Sequence, residues 1–336
     1  MTSNPQFNER TSGLEVAKTF GDRVKGRKVL ITGVGPGGIG GATALAFASQ
    51  EPSLLILASR TKDKLESVAK EIASSYPDVK VEIVKLDLSS QQAVREAAGA
   101  VKQLTDSLDI LVNNAGLTIY ERKLTPDGLE LQFGTNHIGP FLFTNLLIPL
   151  LLKAAEKSAP GETRIVSLAS AGHRLSPVRF SDYNMEGKPI PPEEDHVKPL
   201  VGAFGRENNG YNGIVAYAQS KTANILFTKY LQEHLSSRRV ASYVLHPGSV
   251  VTELGRSQDE ELEETFKKII PYWGTPDEGS STTMVAALDP ALNDIKGLYL
   301  KDCQIEQPAP HASDPKLAER LWHLSEELVG QKFALG

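Results

Sequence analysis

An alternation constrains this chain more than anything else in it. Short apolar runs of strand length recur between stretches of helical period, and the first run ends in a glycine-rich turn. The runs are 28–32 (KVLIT), 54–58 (LLILA), 81–86, 109–112, 164–168 (RIVSL) and 241–245 (ASYVL). Helical patterns fill 40–50, 62–75 and 91–105. The runs have no polar face to show to water. They predict strands covered on both sides, hence an α/β fold with a doubly wound parallel sheet between helical layers. No internal repeat and no composition break divides the chain. A single domain over 27–330 accounts for it, preceded by an extension over 1–26 with a short amphipathic helix near 14–20.

Two segments interrupt the rhythm. Residues 176–214 carry PIPPEEDH and GRENNGYNG, rich in proline, glycine and asparagine, and predict a long excursion on the substrate side. Residues 253–275 follow the last strand and predict a mobile helical flap, a lid, with Trp273 either a lid contact or, the preferred reading, the anchor of the flap. Loops this long inside a compact domain are usually functional or disordered.

Composition narrows the classes. A formal net charge of −5, spread without a basic cluster, argues against a nucleic-acid partner. The single cysteine, Cys303, cannot make an internal disulfide and suits a reducing compartment. The N-terminal MTSNPQFNERTSG lacks the apolar run of a signal peptide. The greasiest stretch, 141–152, falls short of the about 20 apolar residues a bilayer needs, so a buried helix and no integral membrane segment are expected. A cytoplasmic location is the corresponding expectation. The seven histidines show no metal-ligand spacing, and no metal site is expected. No Gly-x-Ser-x-Gly elbow marks a hydrolase.

The run Thr32-Gly33-Val34-Gly35-Pro36-Gly37-Gly38-Ile39-Gly40 joins the first strand to the first long helix. It reads either as a flexible turn or as a cradle where backbone approaches a pyrophosphate and a helix start offers free N–H groups. The end of the second strand bears on the cofactor. A carboxylate there suits the ribose hydroxyls of NAD, a cation the 2′-phosphate of NADP. This chain has Ala58-Ser59-Arg60, then Lys62 and Lys64, with no acid before Asp63. Arg60 is either a solvated surface residue or a forked phosphate ligand; NADP(H) is the expected cofactor.

Tyr217 and Lys221 stand four apart on one helical face. A tyrosine ionises near pH 10, and a neighbouring ammonium favours its phenolate, so the pair can exchange a proton with a carbonyl oxygen or an alcohol. Such pairs arise often by chance. Ser170, however, lies just past the run 164–168, at the strand edge where doubly wound sheets bind ligands. Asn113-Asn114-Ala115-Gly116 and His246-Pro247-Gly248-Ser249-Val250-Val251-Thr252 follow two further strands at that same edge.

Together these residues resemble the short-chain dehydrogenase/reductase family, whose fold is of the Rossmann type. The resemblance covers about 20–330. It implies that Gly33, Gly35, Gly38, Ile39 and Gly40 form the cofactor loop, with Arg60 and Lys64 on the cofactor phosphate. Asp87 and Leu88 would flank the adenine, Asn114 and Ala115 the adenosine ribose, and Val250 and Thr252 the nicotinamide amide. Tyr217 would be the general acid/base, Lys221 would lower its pKa and bind the nicotinamide ribose, and Ser170 would orient the substrate oxygen. Asn136 would anchor a water in the proton relay. AYAQSKTANILFTKYL, HPGSVVTEL, GLYLKDC and LWHLSEELV look like the retinol dehydrogenase/WW-domain oxidoreductase branch. That implies a small lipophilic carbonyl or alcohol substrate, a place in retinoid-like, steroid-like or secondary metabolism, and a homodimer or homotetramer.

Two features depart from the family pattern. The glycine loop has one residue more than usual before Gly38-Ile39-Gly40, and Ser170 and Tyr217 are far apart in the chain. The intervening excursion, with Tyr183 and Tyr211, is expected to wall the substrate pocket. His137 and His173 are expected to be hydrogen bonders near the site, and Ser167 a strand residue. The rival readings are a cofactor-binding scaffold without redox chemistry and, from the loop, a nucleotide-sugar epimerase.

Overall fold

All six apolar runs form strands in the computed structural model, which describes residues 1–197, 201, 207–254, 260–294 and 297–335. They are β1 Lys28–Thr32, β2 Leu54–Ser59, β3 Val81–Lys85, β4 Ile110–Asn113, β5 Thr163–Leu168 and β6 Val240–His246. Two short strands, β7 Tyr299–Lys301 and β8 Gln304–Glu306, extend one edge. The order is β3-β2-β1-β4-β5-β6-β7-β8, parallel throughout except for the β7–β8 pair. From β1 the chain runs outward to β3, then returns to place β4 on the other side of β1. That reversal opens a crevice at the carboxyl ends of β1 and β4, the standard ligand site of such sheets.

Alternation along each strand feeds two cores. Leu30, Ile56, Leu111 and Ile165 face one apolar layer. Val29, Ile31, Leu55, Leu57, Ile110, Val112 and Val166 face the other. The helices are α1 Gly13–Thr19, α2 Ile39–Ala48, α3 Lys62–Ser75 and α4 Gln91–Leu104. A continuous helix, α5, spans Leu131–Ala155. Then come α6 Gly213–Leu235, α7 Glu260–Ile269, α8 Pro276–Leu288 and α9 Pro315–Leu328. The helix expected near 14–20 is α1, and its Val16 and Ala17, with Phe7 and Val24, belong to the second core.

The stretch 141–152 is only part of α5. At 25 residues the helix is long and apolar enough to cross a membrane, which corrects the judgement that the run is too short. Here 78% of its most apolar window is buried within the protein.

The excursion at 176–214 leaves the sheet as expected, with 198–200 and 202–206 outside the described residues. It is fastened at several points. The Arg179 N–H donates to Gln219 Oε1 at 3.0 Å, and Tyr211 Oη donates to Glu130 Oε1 at 2.9 Å. Tyr211 is 1% exposed, and the Tyr183 ring packs on Phe133 at 5.9 Å. Neither lines the central cleft. Glu130, a buried acceptor, and Phe133, an apolar shelf, anchor them. Of the expected flap, 255–259 lie outside the described residues and α7 follows them.

Candidate active site

The loops after β1 and β4 are stitched together. Thr32 Oγ1 accepts the N–H groups of Asn114 and Ala115, both at 3.1 Å. Asn114 Nδ2 donates back to the carbonyls of Thr32 at 2.8 Å and Gly33 at 3.2 Å. Gly33 has φ 71°, and a Cβ there would sit 2.6 Å from Ala115 Cα. A Cβ on Gly40 would sit 2.6 Å from both Asn114 Nδ2 and the Gly33 carbonyl oxygen. Only glycine fits at either position. The additional residue of the loop is absorbed in a turn, closed by the Gly38 N–H on the Gly35 carbonyl at 3.4 Å. Gly38 then caps α2 without a side chain, so the N-cap supplies no side-chain acceptor to the first N–H groups of the helix. An anion is the natural partner for such a terminus. Gly33, Gly35, Gly38, Ile39 and Gly40 all line one cleft, together with Asn114 and Ala115.

Arg60 and Lys64 line the same cleft beyond the end of β2. Arg60 is exposed and has no ion-pair partner among the described residues. Lys64 does have one: its Nζ lies 2.6 Å from Glu253 Oε1, across the cleft mouth. Sequence reasoning missed Glu253, which sits in a polar stretch without a pattern to mark it. Leu88 and Thr252 also line the cleft, whereas Asp87 and Val250 do not. Asp87 instead accepts from the Ser89 N–H at 3.0 Å and Ser89 Oγ at 2.7 Å, and Val250 bridges to Gly274.

The inner end of the cleft holds Tyr217 and Lys221 on α6. Asn212 caps that helix, its Oδ1 accepting the Ile214 and Val215 N–H groups at 3.1 Å. Ser170 follows β5, its Oγ accepting the Gly172 N–H at 3.1 Å. Ser170 Oγ and the Tyr217 ring flank Gly172, where a Cβ would sit 3.4 Å from the first and 3.5 Å from Cε1 of the second. Burial pushes the Tyr217 phenol up to about 12, and the Ser170 contact draws it partly back. Lys221 is 4% exposed and donates from Nζ to the Leu168 carbonyl at 3.1 Å. Burial lowers it to about 8. Its Nζ stands 5.6 Å from the Tyr217 ring centroid. The sequence led us to expect the lysine to depress the tyrosine. Desolvation moves both groups toward their neutral forms.

Asn136 lies in a π-helical segment of α5, Gly134–Ile138, and is fully buried. Its Oδ1 accepts the Leu117 N–H at 2.8 Å, and its Nδ2 donates to the Leu117 carbonyl at 2.9 Å and Ser220 Oγ at 3.0 Å. Ser220 in turn donates to the Tyr217 carbonyl at 2.7 Å. The amide therefore ties the loop after β4 to the helix carrying Tyr217. The signal for Ser220 and Thr32 was faint: a hydroxyl between catalytic positions and a hydroxyl ending an aliphatic strand. His137 is a core residue, its Nε2 against Ser325 Oγ at 2.8 Å and its pKa lowered to about 3 by burial. Ser167 is buried within β5.

Residues 27–184 match the family model for short chain dehydrogenase. Over 313 residues the chain is 35% identical to Retinol dehydrogenase 13 of Homo sapiens, covering 91% of this chain and 86% of that protein. The chain belongs to the short-chain dehydrogenase/reductase family. Its relatives lie in the retinol dehydrogenase branch. Retinol dehydrogenase 11 of Mus musculus is 33% identical over 308 residues, covering 92% of this chain and 88% of that one. The Oxidoreductase fscI of Fusarium equiseti is 34% identical over 245 residues, with coverages of 72% and 94%. An uncharacterized protein from Mycobacterium paratuberculosis superposes with a TM-score of 0.66 at 29% identity, covering 92% of this chain and 96% of that one. Membership makes the chain an oxidoreductase of CH–OH groups that uses a nicotinamide dinucleotide. The cleft fits that cofactor: two glycines admit no Cβ, the α2 terminus lacks a side-chain cap, and the asparagine amide of Asn114 braces the turn.

Proposed function

We propose that this protein is an NADP(H)-dependent oxidoreductase interconverting a ketone or aldehyde with an alcohol on a small lipophilic substrate. The observation that carries this reading is that Tyr217 and Lys221 line the same cleft as the glycine cradle, with Ser170 Oγ beside the Tyr217 ring. Arg60, at the end of β2 with no carboxylate beside it, supports NADP(H) over NAD(H). The RhlG protein of Pseudomonas aeruginosa, solved in an NADP complex, shares the fold at a TM-score of 0.61 and 24% identity, covering 82% of this chain and 94% of that one. The names of the retinol dehydrogenase relatives support a lipophilic alcohol or carbonyl.

When bound, the nicotinamide supplies or accepts the hydride at the substrate carbon. Ser170 holds the substrate oxygen and aims it at Tyr217. With its pKa up at about 12, Tyr217 is a phenol at neutral pH and gives its proton to the oxygen as reduction builds negative charge there. In the reverse direction the same oxygen takes the proton back from the alcohol. Lys221, buried beneath the tyrosine and anchored on the Leu168 carbonyl, presents a positive charge to that exchange and to a ribose hydroxyl. Asn136 keeps the loop at 117 and the helix of Tyr217 in register.

The test is NADPH-dependent reduction of a panel of retinal, steroid ketones and small aliphatic or aromatic ketones. Turnover of at least one of them is expected, with NADPH bound more tightly than NADH. Replacing Arg60 by alanine removes a charge-assisted contact worth about 1.5–3 kcal/mol, so the preference for NADPH should shrink about tenfold or more. Saturable NADPH binding without turnover of any panel member would favour the scaffold reading instead.

A further inference from the structure

His173 lies one turn beyond Ser170, in the short helical segment Ala171–Leu175, and is fully buried. Its Nδ1 is 2.6 Å from the Ser170 carbonyl oxygen, which also accepts the His173 backbone N–H at 3.1 Å. Its Nε2 accepts the backbone N–H of Ala309 at 3.0 Å. A carbonyl only accepts and a backbone N–H only donates, so these partners dictate one tautomer, with the proton on Nδ1. The His173 carbonyl is held as well, by Thr222 Oγ1 at 3.0 Å and by His311 Nε2, which donates at 2.9 Å. Thr222 directly follows Lys221 on α6.

This one imidazole therefore joins three parts of the chain: the end of β5 with Ser170, the helix of Tyr217 and Lys221, and the segment at 309–312. The Tyr299 ring closes the remaining side, edge-on at 5.1 Å. The charged and titratable groups around it are Arg174 (paired with Glu306), His311, His246 and Tyr299. Burial lowers His173 to about 4, which keeps the ring neutral, as the Ala309 contact requires.

We propose that His173 is a positioning residue for hydride transfer, a neutral Nδ1–H clamp that fixes the Ser170 backbone, and so its hydroxyl, against Tyr217 from the C-terminal segment. The proposal rests on the reading of Ser170 and Tyr217 given above. It also gives the residues around 309, far from the glycine cradle in sequence, a direct hold on the reacting end of the cleft.

The test uses the full chain and the best ketone of the panel, with His173→Ala, His173→Asn, Ser170→Ala and the double His173→Ala/Ser170→Ala variant. Misplacing a reacting group by about 1 Å can cost about 100-fold in rate. His173→Ala should lower kcat about tenfold to 100-fold, leaving KM and the NADPH Kd within about twofold. His173→Asn, whose amide can still donate to the Ser170 carbonyl, should recover most of the loss. The double variant should be no slower than Ser170→Ala alone, because the histidine acts through the serine. Losses that multiply in the double variant, or an asparagine variant as poor as alanine, would overturn the proposal. A Ser170→Ala protein with wild-type turnover would instead overturn the underlying reading, and this inference with it. Should the alanine variant fail to fold, the nitrogen-15 spectrum of the wild-type histidines decides: a pyrrole-type Nδ1 and pyridine-type Nε2 for His173 support it, and the reverse tautomer refutes it.

Discussion

Gly40 shows how narrowly the cradle is built. Adding a single methyl there would bring carbon to 2.6 Å from Asn114 Nδ2 and from the Gly33 carbonyl, two groups already hydrogen-bonded to each other. Gly40→Ala should therefore cost about 1–3 kcal/mol of stability and weaken NADPH binding, read by urea denaturation and a fluorescence titration. Lys221 carries a second expectation. Its folded pKa lies below its ordinary 10.5, at about 8, so the ammonium is present below that pH and lost above it. If the ammonium is what binds the cofactor ribose, kcat/KM for NADPH, which reports groups of the free protein, should fall as pH rises through about 8. A profile that is flat until the tyrosine itself titrates would contradict that role. Ser170 could be read from the sequence because it sits just past a strand end, and Tyr217 and Lys221 because they stand four apart on one helical face. The balance of their pKa values could not, because desolvation depends on what the fold packs around them.

The helices and the excursion were legible to different degrees. The strand–helix alternation up to β4 follows directly from apolar runs and amphipathic spacing. The excursion was recognisable from its proline, glycine and asparagine, but the purpose of its tyrosines was not. Tyr211 meets Glu130 across 81 positions, and no local pattern announces that contact. Glu130 also accepts the Gln132 and Phe133 N–H groups and so caps α5, the helix of Asn136. Its burial raises its pKa, with the donors around it working against that rise. Removing one donor by Tyr211→Phe should cost about 1–3 kcal/mol in a denaturation experiment, since a buried acceptor loses a partner. A variant as stable as the wild type would mean that the excursion is not fastened there. The edge strands β7 and β8, three residues each, are too short to give any periodic signal.

Across the whole molecule, the buried His137 and His173 and the half-buried His246 are held in neutral form. Burial takes His137 and His246 down to about 3 and His173 to about 4, from an ordinary 6.5. The unfolded chain then binds more protons than the folded one between those values, so stability rises with pH over that window. The contribution is complete above about 6.5 and is lost as pH falls toward the folded values. The urea midpoint should drop markedly from about pH 7 to about pH 5, and His137→Phe, which keeps the ring among Phe133, Phe141 and Phe227, should flatten that slope. A midpoint independent of pH over this range would contradict the neutral state of these rings.

The central claim is that Tyr217 exchanges the proton while hydride moves within the cleft of the glycine cradle. It is tested most directly by following the label from NADPH deuterated at C4 into the carbinol carbon of a reduced ketone. The label should appear there with the wild-type protein, and its transfer should be lost in Tyr217→Phe even though that variant still binds NADPH. Transfer at the wild-type rate in Tyr217→Phe would contradict the account.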